Sequence, residues 1–132
     1  MERRSWPLIA VAGAFGLLLA VAPFLFIFER SPYSDALAAY DRLCRASAAV
    51  DVAAFRADLV GREALRPDPD VAALMPRLAC VPRGAHDASF VPVAHQAWGP
   101  DRAYLLTLTP KAGGTAVQVR FRVEEDVVRW EP

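Results

Sequence analysis

Asparagine is absent from this chain, lysine occurs once, at Lys111, and cysteine occurs only at Cys44 and Cys80. The single lysine stands against fourteen arginines, a bias that points to a GC-rich bacterial genome. Charge of one sign is missing as well. The formal net charge is zero, and from Ser31 onward twelve Arg or Lys face thirteen Asp or Glu. That balance excludes both the basic footprint of a nucleic-acid binder and an acidic tail. Cys-x-x-Cys-His, which covalent haem attachment requires, does not occur. Cys80, His86, Asp87 and His95 match no compact metal module in their spacing. No cofactor, metal or enzyme activity is therefore expected.

What is abundant is apolar sequence at one end. Pro7 to Phe28 is an unbroken run of 22 uncharged, almost wholly apolar residues, preceded by Arg3 and Arg4 and followed by Glu29 and Arg30. As a helix at about 1.5 Å per residue it would reach about 33 Å, enough to cross a bilayer's hydrocarbon core once. The basic residues and the small triplet Ala20-Val21-Ala22 imitate a cleaved secretory signal. Pro23 would follow the scissile bond, however, and Phe24 to Phe28 would leave an apolar end on the product. No cysteine in or near the run could carry a lipid. The expectation is a permanent single-pass anchor at 7–28, after a cytoplasmic tail at 1–6.

Arg3, Arg4 and the amino terminus favour the cytoplasmic side, while Arg30 weakens the asymmetry. The cysteines decide the orientation. A lone pair on the exported side of a membrane most simply forms one disulfide, Cys44 to Cys80, which would stabilise the fold by about 4 kcal/mol on the chain-entropy model. Residues 34–132, after a linker at 29–33, are thus expected in the periplasm of a bacterium, tethered to its inner membrane. Within the anchor, Ala12, Gly16 and Ala20 recur every four residues as a strip of small side chains, the kind of surface on which another membrane helix can dock closely.

The exported part is long enough for one domain. A helical pattern runs from about Ser34, as N-cap, to Ala49, with Leu37, Tyr40, Cys44 and Ala48 on one face. A second helix is expected from Asp51, as cap, to about Val60, burying Val52, Phe55 and Leu59. A short third should start with Asp68 as cap and Pro69 at its first position, presenting Val71, Leu74, Met75 and Leu78. From Ser89 the period changes to two. Phe90 to Trp98, Ala103 to Thr109, Thr115 to Val123 and Val127 to Trp130 read as four strands, with turns short enough to force an antiparallel meander. The third strand has a dry face, Val117, Val119, Phe121 and Val123, and a wet one, Gln118, Arg120 and Arg122. Covering the dry face with the preceding helices gives a two-layer α+β domain.

Ala46 to Phe55, the strand Arg120-Phe121-Arg122-Val123, a tight acidic turn and Val128-Arg129-Trp130 together resemble the nuclear transport factor 2-like superfamily of cystatin-like folds. The resemblance implies a curved sheet wrapped on helices, forming a cone that in some members holds a small ligand and in others only dimerises or scaffolds. It also implies that Asp and His lining the cone would be the place for isomerase or dehydratase chemistry, so His86, Asp87 and His95 come into question. Read from the residues alone, His86 and Asp87 belong to a polar loop and His95 to a strand surface. Arg120, Arg122 and Arg129 form either a basic stripe or a solvated sheet face. The expected function is a non-catalytic accessory subunit of a larger inner-membrane complex, respiratory or photosynthetic. The alternative is a membrane-tethered module binding a small apolar ligand or lipid.

Overall fold

Helix starts here at a proline. In the computed structural model, which describes residues 32–93 and 102–132, the first helix, α1, spans Pro32–Ala49. Pro32 suits a first helical position, because its ring presets φ and its missing N–H would have had no partner there. Ser34 therefore lies in the first turn and is not the N-cap. The anchor run and His95 lie outside the described residues, as do Ala12, Gly16 and Ala20. Among the described residues no helix is long and apolar enough to cross a membrane.

The buried stripe of α1 is Ala36, Ala39, Tyr40, Leu43 and Ala46. Only Tyr40 is shared with the expected face; Leu37 and Cys44 flank the core half-buried and Ala48 is exposed. The stripe is rotated because alanine, not only leucine, faces inward, and its small side chain lets α1 lie close against its neighbours. After Ala49 the chain reverses through Val50 at φ +52°. Val50 N–H bonds Ser47 O at 3.1 Å and Asp51 N–H bonds Ala46 O at 2.9 Å, the pair of bonds that closes a Schellman motif.

Asp51 then caps α2 (Val52–Ala57), its Oδ1 accepting from Ala54 N–H at 3.1 Å. α2 stops well short of Val60, for a tertiary reason. Trp130 N–H bonds Asp58 O at 2.7 Å and Val60 N–H bonds Trp130 O at 3.0 Å, so residues 58–60 leave the helix to bridge the sheet edge in parallel, Leu59 against Trp130. Gly61 opens a single-turn helix, α3 (Gly61–Ala64), where Glu124 Oε1 accepts from Gly61 N–H at 2.7 Å. α4 (Asp68–Leu74) has Pro67 as N-cap and a proline in its first turn. Asp68 is thus one position inside the helix, and its carboxylate pairs with Arg56. A 3-10 turn, Met75–Arg77, takes over at Pro76.

β1 (His86–Pro92), β2 (Ala103–Pro110), β3 (Val117–Glu124) and β4 (Val127–Trp130) form the expected antiparallel meander in the order β1-β2-β3-β4. β1 begins four residues earlier than the alternation suggests, which makes His86 and Asp87 strand residues and not loop residues. β3 and β4 are joined by Glu125-Asp126, both at positive φ, the backbone of a two-residue type I′ hairpin. Helices and sheet meet over Tyr40, Leu43, Phe55, Leu59, Val71, Leu106, Leu108 and Phe121, each under 2% exposed. Phe55 packs edge-on against Trp130 with ring centroids 5.7 Å apart. Each such side chain contributes about 1.5–3 kcal/mol by leaving water.

Candidate functional site

Cys44 and Cys80 meet with their Cα atoms 5.7 Å apart and are joined by a disulfide. One turn before Cys44 on the same helix, Tyr40 reaches the same strand of chain. Its hydroxyl donates to Ala79 O at 2.7 Å and accepts from Val81 N–H at 2.9 Å. Residues 79–81 are therefore held to α1 by one covalent bond and two hydrogen bonds. Burial pushes the Tyr40 phenol above the ordinary tyrosine range; the Val81 amide opposes that rise and the neighbouring Asp41 charge adds to it. A Tyr four residues before a bonded Cys was visible in the sequence, but its polar role was not, because the partner groups are backbone.

On the wet face of the sheet, arginines converge on one carboxylate. Arg120 Nε donates to Glu131 Oε2 at 3.1 Å, and Arg122 grips both oxygens, Nε to Oε2 at 3.1 Å and Nη2 to Oε1 at 3.0 Å. Arg62 Nη2 stands 3.8 Å from Glu131 Oε1. Burial would raise the Glu131 carboxyl, but the hydrogen bonds and charges of Arg122 and Arg120 outweigh it and hold it below the ordinary glutamate range. Arg129, paired across β4 with Arg122, turns to Ala57 O and Leu59 O at 3.3 and 3.4 Å. Arg120, Arg122 and Arg129 are thus engaged with the chain itself. The open depression beside them, about 280 Å³, is lined by Val60, Arg62, Arg122, Glu124 and Glu131.

A larger open groove, about 490 Å³, runs between α1 and α2, with Ala46, Ala49, Ala54 and Ala57 among its lining. One end is closed by a forked ion pair. Arg42 Nη2 donates to Asp58 Oδ1 at 2.9 Å and Nε to Oδ2 at 3.0 Å, with Asp58 only 8% exposed. That hydrogen-bonded carboxylate raises the Arg42 pKa further.

His86 and Asp87, adjacent on β1, leave the strand on opposite faces. His86 Nδ1 lies 2.8 Å from Pro82 O, and since a carbonyl only accepts, Nδ1 carries the proton. The third member of that set, His95, lies outside the described residues. Cys80 is taken by its disulfide, and among the described residues no three His, Cys, Asp or Glu side chains are grouped to hold a metal ion.

At the far edge of the sheet three rings form a ladder. Tyr104 stacks on Phe90 with centroids 4.8 Å apart and 11° between planes. Phe90 in turn meets Tyr33 of α1 at 5.7 Å. The ladder starts at the core cluster, which Tyr104 and Phe90 flank, and reaches Tyr33, which is 36% exposed. Comparison of the chain with protein-family models, with curated proteins and with solved structures gives no match in any of the three.

Proposed function

We propose that this protein is a non-catalytic accessory subunit of a larger bacterial inner-membrane complex, respiratory or photosynthetic in kind. In this reading the run at 7–28 crosses the membrane once with its amino terminus in the cytoplasm, the strip Ala12, Gly16 and Ala20 docks against another helix, and the disulfide-clipped α+β domain stands in the periplasm. The observation that supports it best is how the domain uses its interior. The space between sheet and helices, where a cone-shaped member of the nuclear transport factor 2-like superfamily would hold a ligand, is filled by Tyr40, Phe55, Leu106, Phe121 and their neighbours. Polar side chains pin segments together: Arg42 to Asp58, Arg120 and Arg122 to Glu131, Tyr40 to 79–81. A Cys44–Cys80 bond suits an oxidising compartment.

Extraction of the full chain in mild detergent, followed by affinity purification, tests the proposal. A fixed-ratio set of large integral membrane proteins is the expected outcome; recovery of this chain by itself would overturn it. Thiol labelling of Cys44 and Cys80 in sealed spheroplasts should require a reductant and should proceed from outside.

A further inference from the structure

The hydrogen bonds of Tyr40 bracket one residue. Its hydroxyl holds Ala79 O on one side of Cys80 and Val81 N–H on the other, so both peptide groups flanking Cys80 are fixed to α1. Tyr40 and Cys44 are four residues apart on that helix and therefore on one face. Hydroxyl and sulfur grip the same three residues side by side. Those three belong to a strap, residues 79–85, that runs between buried Leu78 and His86, the first residue of β1. Within the strap Val81 is half-buried and the other residues are exposed, the kind of segment that opens locally at small cost unless it is tied.

Two ties on one segment are coupled. Whatever keeps 79–81 on α1 after the sulfurs separate raises the concentration of one thiol at the other, and so favours the disulfide over the dithiol. Tyr40 is suited to that task. It belongs to the core cluster, whereas Cys44 only flanks it, so the ring does not depend on the bond between the sulfurs. Tyr40 is 1% exposed, and opening the strap would strip its buried hydroxyl of both partners, a costlier loss than that of a hydrogen bond at the surface. Access to the sulfurs is unequal as well. Cys80 is exposed and Cys44 half-buried, and access helps decide which sulfur an incoming thiolate strikes.

We propose that Cys44 and Cys80 are a reversible redox couple that a dithiol partner enters at Cys80, with Tyr40 as the positioning residue that keeps the reduced pair in place. A thiolate of the partner attacks Cys80 Sγ, the bond between the two cysteines breaks, and Cys44 leaves as a thiolate that takes a proton from water. The partner's second thiol gives its proton to water and attacks the partner sulfur of the mixed disulfide, which frees Cys80 as a thiolate to be protonated in turn. Two electrons have then passed to the pair, and the partner is left as a disulfide. Oxidation by a partner disulfide runs the same steps backwards, and Tyr40 returns Cys80 to Cys44 without a search through open chain. The couple lies wholly within residues 32–132 and stands apart from the reading of 7–28 as an anchor.

Equilibration of the full chain in detergent micelles with mixtures of reduced and oxidised dithiothreitol tests this, because Cys44 and Cys80 are its only cysteines and a thiol count reads them alone. The reduced chain should keep the circular dichroism of the oxidised one, and exchange of the Val81 amide hydrogen should stay within about tenfold of its oxidised rate. Tyr40→Phe should lower the equilibrium constant for disulfide formation about fivefold, a potential about 20 mV less negative. A merely structural Tyr40 would weaken both forms alike and leave that constant unchanged. With dithiobisnitrobenzoate as probe, Cys80 in Cys44→Ser should react about tenfold faster than Cys44 in Cys80→Ser. Loss of the folded spectrum on reduction, loss of protection at Val81, an unchanged constant in Tyr40→Phe, or a Cys44 that reacts as fast as Cys80 would each overturn the inference. The Val81 measurement needs no substitution, so it decides the matter even if a variant fails to fold.

Discussion

Val50 is the most strained residue described. A β-branched side chain at φ +52° sits where helices usually place glycine, and it is 70% exposed, so no packing offsets the cost. Val50→Gly should stabilise the domain by about 1 kcal/mol, read as a rise of a few degrees in Tm. Tyr40 works in the other direction. Tyr40→Phe keeps the ring and removes both hydrogen bonds to 79–81, and should cost about 1 kcal/mol in urea unfolding. Since the folded phenol titrates above its ordinary range, its contribution is complete below about pH 10 and is lost as pH rises through the folded value. In the Phe variant that alkaline decline should be shallower. The backbone roles of Val50 and of the Tyr40 hydroxyl were illegible in the sequence, because each depends on main-chain geometry that no side-chain pattern encodes.

Elements were more legible than residues where periodicity was strict. The meander order, β4 and the Asp51 cap follow directly from alternation and cap chemistry. Elements shaped by partners were not legible. α2 yields Asp58 to Val60 to the edge of β4, although its sequence would carry a longer helix. β1 starts at His86 because it pairs with Pro110 and its neighbours, not because Ala85 to Ser89 looks like a strand. Glu131 shows the same dependence, since two arginines from β3 close on it just past the end of β4. Its lowered folded pKa means its contribution is present above the ordinary glutamate value of about 4.3 and is lost as pH falls through the folded value. Thermal melts taken from pH 7 down to pH 3 should therefore show a shallower acid decline for Glu131→Gln than for the parent. An equal slope in both would show that other carboxylates set acid stability.

At the scale of the whole molecule, the disulfide joins two segments 36 residues apart. Replacing Cys44 and Cys80 together by serine should remove about 4 kcal/mol, a large share of the about 5–15 kcal/mol that holds an ordinary domain folded. Guanidinium unfolding of the full chain in detergent micelles would measure it. The candidate site was legible only in part: the cysteine pair could be named from the sequence, whereas the Tyr33, Phe90 and Tyr104 ladder joins three separate elements that no spacing relates. The bridge between Leu59 and Trp130 also sets an order of events in time. At about 5–20 residues per second of synthesis, Leu59 waits roughly 4–14 s for its partner. During that interval Phe55 and Leu59 have no sheet to lie against, while Cys80 joins Cys44 in the made chain well before Trp130. In an oxidising compartment the Cys44–Cys80 bond can therefore tie the helical half together before the last strand exists, and the covalent clip then guards an unfinished core.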